Sequence, residues 1–324
     1  MFRNLLFLII FILHSSFALA NVKEWEKEFP KTNFKKTTIS FFEVLSGGPP
    51  RDGIPSIDKP VFVSIDNGIG EDEPVIYLEI NNEAKIYPMQ VLTWHEIVND
   101  TVGGVPVAVT YCPLCNTSVV FQRQLDGQVL DFGTTGKLRK SNLIMYDRQT
   151  ESWFNQFDGI GIVGDLTGKE LKKIPSLIIS YKEAKRIAKQ RGYKNKILKG
   201  TSFRRYGKNP YNGYDKSSNP FLYQGSLPQG IDPLEYVIVV EEEAYTLQLI
   251  QDKKELRLGD IKIKWTAGLN SALETSKISD GRDLGFVRVQ KKTKGRYEDI
   301  VYDYTFAFVF HAFHNGKQII TKID

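Results

Sequence analysis

The chain has 324 residues, 41% of them apolar and 12% aromatic, with 43 Lys and Arg against 38 Asp and Glu and a formal net charge of +5. This is the make-up of a globular protein of one large or two ordinary domains, not of a disordered chain. Its basic residues fall in short pairs such as Lys35-Lys36, Lys172-Lys173 and Lys291-Lys292, read as solvated surface; no long basic block marks a nucleic-acid partner.

Met1 to Ala20 reads as a signal peptide. Arg3 supplies the positive start, Leu5 to Leu13 is an apolar run too short for an ordinary membrane span, and Ala18-Leu19-Ala20 has the small-x-small form of a cleavage site. The alternative is an uncleaved anchor. The expected location is periplasmic or secreted, with a mature chain from Asn21 and no membrane span after signal cleavage.

Residues 21–55 form a polar lead with one short helical stretch around Trp25, ending in the turn-rich Gly47 to Pro55. Val61 to Ile65 and Val75 to Ile80 are predicted strands. Asn81-Asn82 supplies a hairpin turn, and Ala84 to Tyr87 returns. Pro88 suits the first turn of a helix carrying Met89, Leu92, Trp94 and His95, with Ile97 on the same face; Gly103-Gly104 ends that unit. Val105 to Tyr111 is a β-branched strand running into Cys112, and Thr117 to Gln122 is another. Asp126-Gly127 marks a hairpin, and Val129 to Phe132 continues the sheet. The one long helix is Ser180 to Gln190, capped by Ser180 and ended by Gly192. Residues 201–233 are a long ordered loop or linker. A weak repeat relates Val75–Val109 to Tyr236–Trp265, although any two meanders share such an order. The second copy has no C-x-x-C and no Trp-His-Glu stretch. The expected fold is α+β, mostly β: antiparallel meanders, few short helices and two related β-rich lobes, 56–200 and 234–324.

Cys112-Pro113-Leu114-Cys115 holds both cysteines of the chain. A bridge there closes a very short loop and stabilises little, so the pair is read as chemistry rather than stapling. Thioredoxin-like proteins follow C-x-x-C with a helix, but Asn116 to Phe121 has strand composition. Strand, C-P-x-C, strand predicts a knuckle turn with Asn116 at positive φ and backbone N–H groups facing the sulfurs. A knuckle supplies two ligands. Further donors would come from His314 first, then Met145, then His95, with His311 also available, and two thiolates with such a donor suit a soft ion, Cu(I) or Zn. Each histidine also has a plainer reading, and His95 in particular reads as a hydrogen-bonded core residue. His311 and His314 lie on a strand-like aromatic segment, where their spacing points them apart.

A second candidate is Arg139 to Ser152, where Arg139, Ser141, Asp147 and Arg148 flank the Leu143 to Tyr146 strand. They form a pocket floor for an anion or a buried ion-pair network, or simply an Asp-Arg turn closing a hairpin. No phosphate-cradling glycine loop, and so no nucleotide cofactor, is expected.

Arg51-Asp52-Gly53-Ile54-Pro55, Trp94-His95-Glu96-Ile97-Val98-Asn99-Asp100, Val109 to Thr117, Phe132-Gly133, Lys137-Leu138-Arg139, Ser141 to Ser152 and Tyr206 to Tyr214 resemble the bacterial domain-of-unknown-function family DUF3179, over nearly the whole mature chain. Family members carry Gly at the position of Asn116, and Phe-His-Pro at Phe313-His314-Asn315. The resemblance assigns no biochemical role; relatives labelled as selenoproteins imply redox work if the replaced residue is a cysteine of this turn.

The sequence thus leaves three readings of one centre: a soft-ion site at Cys112 and Cys115, a thiol–disulfide oxidoreductase acting on a thiol partner protein through the same pair, or a non-catalytic interaction module with a brace.

Overall fold

The structure, a computed structural model, describes residues 22–66, 68–193, 196–201 and 204–323. The signal-peptide reading of Met1 to Ala20 lies outside these residues. The protein is mostly β, 39% strand and 17% helix, with small antiparallel sheets in a propeller-like arrangement and, among the described residues, five short helices. One sheet runs in the order Val44–Ser46, Phe132–Arg139, Asn142–Asp147, Trp153–Asn155, Gly161–Val163; a second orders Lys173–Ile174, Thr117–Gln122, Val105–Cys112, Ile97–Val102.

The repeat is visible as structure. Pro74–Ile80, Glu83–Pro88, helix Met89–His95, Ile97–Val102 and Val105–Cys112 follow the same order as Tyr236–Val240, Glu243–Thr246, helix Leu247–Lys253, Glu255–Leu258 and Ile261–Thr266. Asn81 and Asn82 both take positive φ, 48° and 61°, in the first hairpin turn. Pro88 is the N-cap of its helix rather than its first residue. The sequence pattern also misses a strand. Ile97 does not extend the helix; it opens Ile97–Val102, which pairs with Val105–Cys112 across Gly103-Gly104. Gly103 must be glycine, since its φ is +55° and a Cβ there would run into the Ile80 carbonyl.

The long helix forms as expected over Tyr181–Gln190, with the Ser180 side chain accepting from the Glu183 N–H. The C-terminal aromatic segment differs from its strand-like reading: Ala307–Phe313 is a helix. Its run of Ala307, Phe308, Val309 and Phe310 is buried on every side, and a short apolar run buried all round carries no periodicity to tell helix from strand. One hydrophobic cluster includes Val75 and Val109 from the first half and Ile238, Ile263 and Phe308 from the second. The lead packs Trp25, Phe29 and Phe34 on Trp153 in a separate cluster.

Candidate functional site

Val105–Cys112 and Thr117–Gln122 are antiparallel, with Cys112 opposite Thr117, and Pro113–Cys115 is one 3-10 turn between them. No helix follows Cys115. Asn116 takes the left-handed conformation the knuckle requires, φ 47° and ψ 37°, and its N–H closes the turn on the Pro113 carbonyl at 3.1 Å. Its Oδ1 accepts from the Tyr111 hydroxyl at 3.1 Å.

The two cysteines approach to 3.6 Å, both as free thiols and both buried, Cys112 2% and Cys115 0% exposed. They are not equivalent. Burial pushes the Cys112 thiol up, but the Cys115 S–H and the backbone N–H groups of Leu143, Cys115 and Leu114 outweigh it, and the thiol lies below its ordinary value. Burial drives Cys115 well above the ordinary range, and the neighbouring Cys112 adds to it. The two sulfurs are thus shifted in opposite directions, Cys112 being the more acidic. The Ser141 carbonyl, 3.5 Å from Cys115 Sγ, is a second acceptor within reach of that S–H. Asn142 Nδ2 donates to the same sulfur at 3.4 Å. Its amide is oriented without ambiguity, because Oδ1 accepts from the Phe157 N–H while Nδ2 also donates to Gln156 Oε1. Gln156 in turn donates to Thr110 Oγ1 and the Thr117 carbonyl. From the far end of the chain, Thr305 Oγ1 donates to the Cys115 carbonyl at 2.9 Å.

Glu96 completes the surroundings. It caps the helix Met89–His95 at positive φ, 57°, and is buried. Burial first, and the Cys112 charge second, hold its carboxyl well above the usual carboxylate range, while the Tyr211 hydroxyl bonds to it. Burial likewise keeps Tyr111, Tyr211 and Tyr214 protonated, with the cysteine charges adding to the effect. Sequence reading gave no role to Glu96, Tyr211, Tyr214 or Gln156, and held Asn142 only as a member of the Arg139 to Ser152 stretch. A signal for Glu96 was present: the Trp-His-Glu stretch is absent from the second repeat, where the equivalent cap is Lys254, at φ 63° and exposed.

The three histidines are engaged elsewhere. His95 is a core histidine, its Nδ1 bonded to the Pro55 carbonyl and its Nε2 to the Tyr206 hydroxyl, both at 2.7 Å. His314 stacks on Phe310 and meets Glu242 at 3.6 Å. His311 bonds Ser226. Met145 is buried in the same apolar cluster as both cysteines. Among the described residues, no group of three His, Cys, Asp or Glu side chains is placed to hold a metal ion.

The Arg139 to Ser152 residues divide. Ser141 belongs to the cysteine site. Arg139 pairs with Glu43. Asp147 accepts from the Thr150 N–H and hydroxyl and the Ser152 N–H, so it closes a turn rather than pairing with Arg148. Arg148 reaches Asp52 instead, at 2.9 Å, together with Ser56 and Tyr146. Adjacency in sequence thus gives the hairpin turn at Asp147 but not the partner of Arg148, because Asp52 lies nearly a hundred residues upstream.

Fold and site together define a mostly β, propeller-like protein with a buried cysteine knuckle. The family model described as "Protein of unknown function (DUF3179)" matches residues 51–317, and the chain belongs to that family. No curated protein and no solved structure matches it. Among the described residues no helix is long and apolar enough to cross a membrane.

Proposed function

We propose that Cys112 and Cys115 cycle between dithiol and disulfide, exchanging with an external disulfide or thiol. One observation carries this reading: two thiols 3.6 Å apart and shifted in opposite directions, Cys112 made more acidic by the Cys115 S–H and three backbone N–H groups, Cys115 made less acidic by burial. The Cys112 thiolate attacks a sulfur of the external disulfide, forming a mixed disulfide and expelling a thiolate that takes a proton from solvent. Bond formation removes the Cys112 charge, which had raised both Cys115 and Glu96. Both then become easier to deprotonate: the Glu96 carboxyl releases its proton to solvent, and the carboxylate so formed takes the Cys115 proton and passes it to the departing external thiolate in the next step. Cys115 attacks Cys112 Sγ, closes the protein disulfide and releases the second external thiol. One disulfide is reduced and one dithiol oxidised, and the reverse sequence reduces the pair. The leader reading places this chemistry in an exported compartment, which is oxidising.

The second reading is a soft ion such as Cu(I) held by the two sulfurs, supported by their 3.6 Å approach. Equilibration in glutathione buffers, with thiols counted after denaturation, separates the two. Reversible loss and recovery of two thiols, abolished in Cys115→Ser, supports exchange. Two thiols that persist across oxidising buffers, with stoichiometric copper retained, overturn it.

A further inference from the structure

Both sulfurs are sealed from solvent, so a partner needs a way in. Tyr214 Oη donates to the Leu114 carbonyl at 3.0 Å, inside the cysteine turn, and accepts from the Phe221 N–H at 3.1 Å. The Phe221 carbonyl accepts from Ser141 Oγ, and the Ser141 carbonyl lies within 3.9 Å of both sulfurs. A closed ring of hydrogen bonds therefore ties the strap around Phe221 to the turn. Directly outside it is a cavity of about 600 Å³ whose wall includes Phe42, Lys140, Leu222, Tyr223 and His311. Lys140 and Leu222 are the chain neighbours of Ser141 and Phe221, so the cavity wall is continuous along the chain with the hydrogen-bonded ring. Three wall and strap residues hold strained backbone: Lys140, Ser141 and Leu222 take φ of 53°, 64° and 50°.

The cavity has a chemical preference. The Lys140 amine is held by the Ala312 carbonyl and sits 4.9 Å over the Phe313 ring, with no carboxylate partner among the described residues. Glu43 on the same wall is already neutralised by Arg139. Phe42 offers an apolar side chain 54% exposed.

We infer that this cavity is the entry and binding site for the partner of the cysteine pair, a thiol or disulfide of short-peptide size bearing a carboxylate, and that the strap at Phe221, latched by Tyr214, is the door between them. This deepens the thiol-exchange reading and rests on it for the identity of the partner. Its test uses access alone, in the native full chain, by measuring Cys112 alkylation with neutral iodoacetamide and anionic iodoacetate. Tyr214→Phe releases the latch and is expected to speed both reagents about tenfold. Leu222→Trp fills the cavity and is expected to slow both about fivefold. Lys140→Gln is expected to lower the iodoacetate-to-iodoacetamide rate ratio about threefold. Urea midpoints measured alongside identify any variant whose rate change follows global stability. Rates indifferent to Leu222→Trp, or rates that track global unfolding in every variant, overturn the entry site. An unchanged reagent ratio in Lys140→Gln overturns the carboxylate preference. If the access results hold while glutathione equilibration fails, the door stands and the exchange reading falls.

Discussion

Glu96 is the residue whose placement is hardest to explain by folding alone. A non-glycine residue at positive φ carries strain of roughly 1–3 kcal/mol, and a buried carboxyl adds a desolvation cost. The second repeat keeps the backbone turn at Lys254 but leaves that side chain in solvent, so the turn does not require burial. The carboxyl is buried beside the cysteines, which is where a proton acceptor is needed. Its raised pKa has a signed consequence. A carboxyl raised in the fold stabilises it fully below the unfolded carboxylate value, near about pH 4.3, and that stability is lost as pH rises through the folded value. Glu96→Gln is neutral at all pH, so its urea midpoint is expected to depend less on pH than the wild type's between about pH 5 and 8. It is also expected to slow disulfide closure without preventing formation of the mixed disulfide. Parallel midpoint curves for the two proteins would remove Glu96 from the proton chemistry.

The elements show where local chemistry is enough. The Tyr181–Gln190 helix has its cap, its end and a buried stripe of Tyr181, Ala184, Ile187 and Ala188 at helical spacing. Ser180→Ala removes the cap to the Glu183 N–H and is expected to cost about 1 kcal/mol in urea denaturation, with the cysteine chemistry unaffected. The hairpin that presents Ser141 and Asn142 is different. Its two-residue turn is Lys140-Ser141, and neither residue is the Asn or Gly that usually announces such a turn. The strand Leu143 to Tyr146 was legible from its apolar run, but the turn that delivers a carbonyl and an amide to Cys115 was not.

Across the whole molecule, the site draws on every part of the chain. Thr305 holds the Cys115 carbonyl, Lys173 pairs with Asp303 at 3.0 Å, and the Asn270 N–H bonds the Asp72 carbonyl at 2.8 Å. Of the 201–233 segment, loop or linker by composition, residues 204–233 cross the site as a packed strap: Asp215 is buried and accepts from Tyr236 and Ser271. With one hydrophobic cluster spanning both repeats, the protein is expected to unfold in a single urea transition, coincident by circular dichroism and tryptophan fluorescence. Residues 56–200 alone are expected to lack native near-ultraviolet dichroism. A fragment that folds by itself, or two separated transitions, would show the lobes to be independent.

The sequence by itself determined what is local. The knuckle follows from β-branched residues on both sides of C-P-L-C and an asparagine that tolerates positive φ. The hairpins at Asn81-Asn82 and Asp126-Gly127, the capped helix and the mostly β character follow from the same short-range rules. The tertiary structure decided what those rules cannot reach. It turned His95 towards Pro55 and Tyr206, gave Arg148 to Asp52, and made a helix of Ala307–Phe313. It also brought Glu96, Asn142, Tyr214 and Thr305 around the sulfurs. These contacts join residues tens to almost two hundred positions apart, and their partners are selected by packing and burial, which no local pattern of residues encodes.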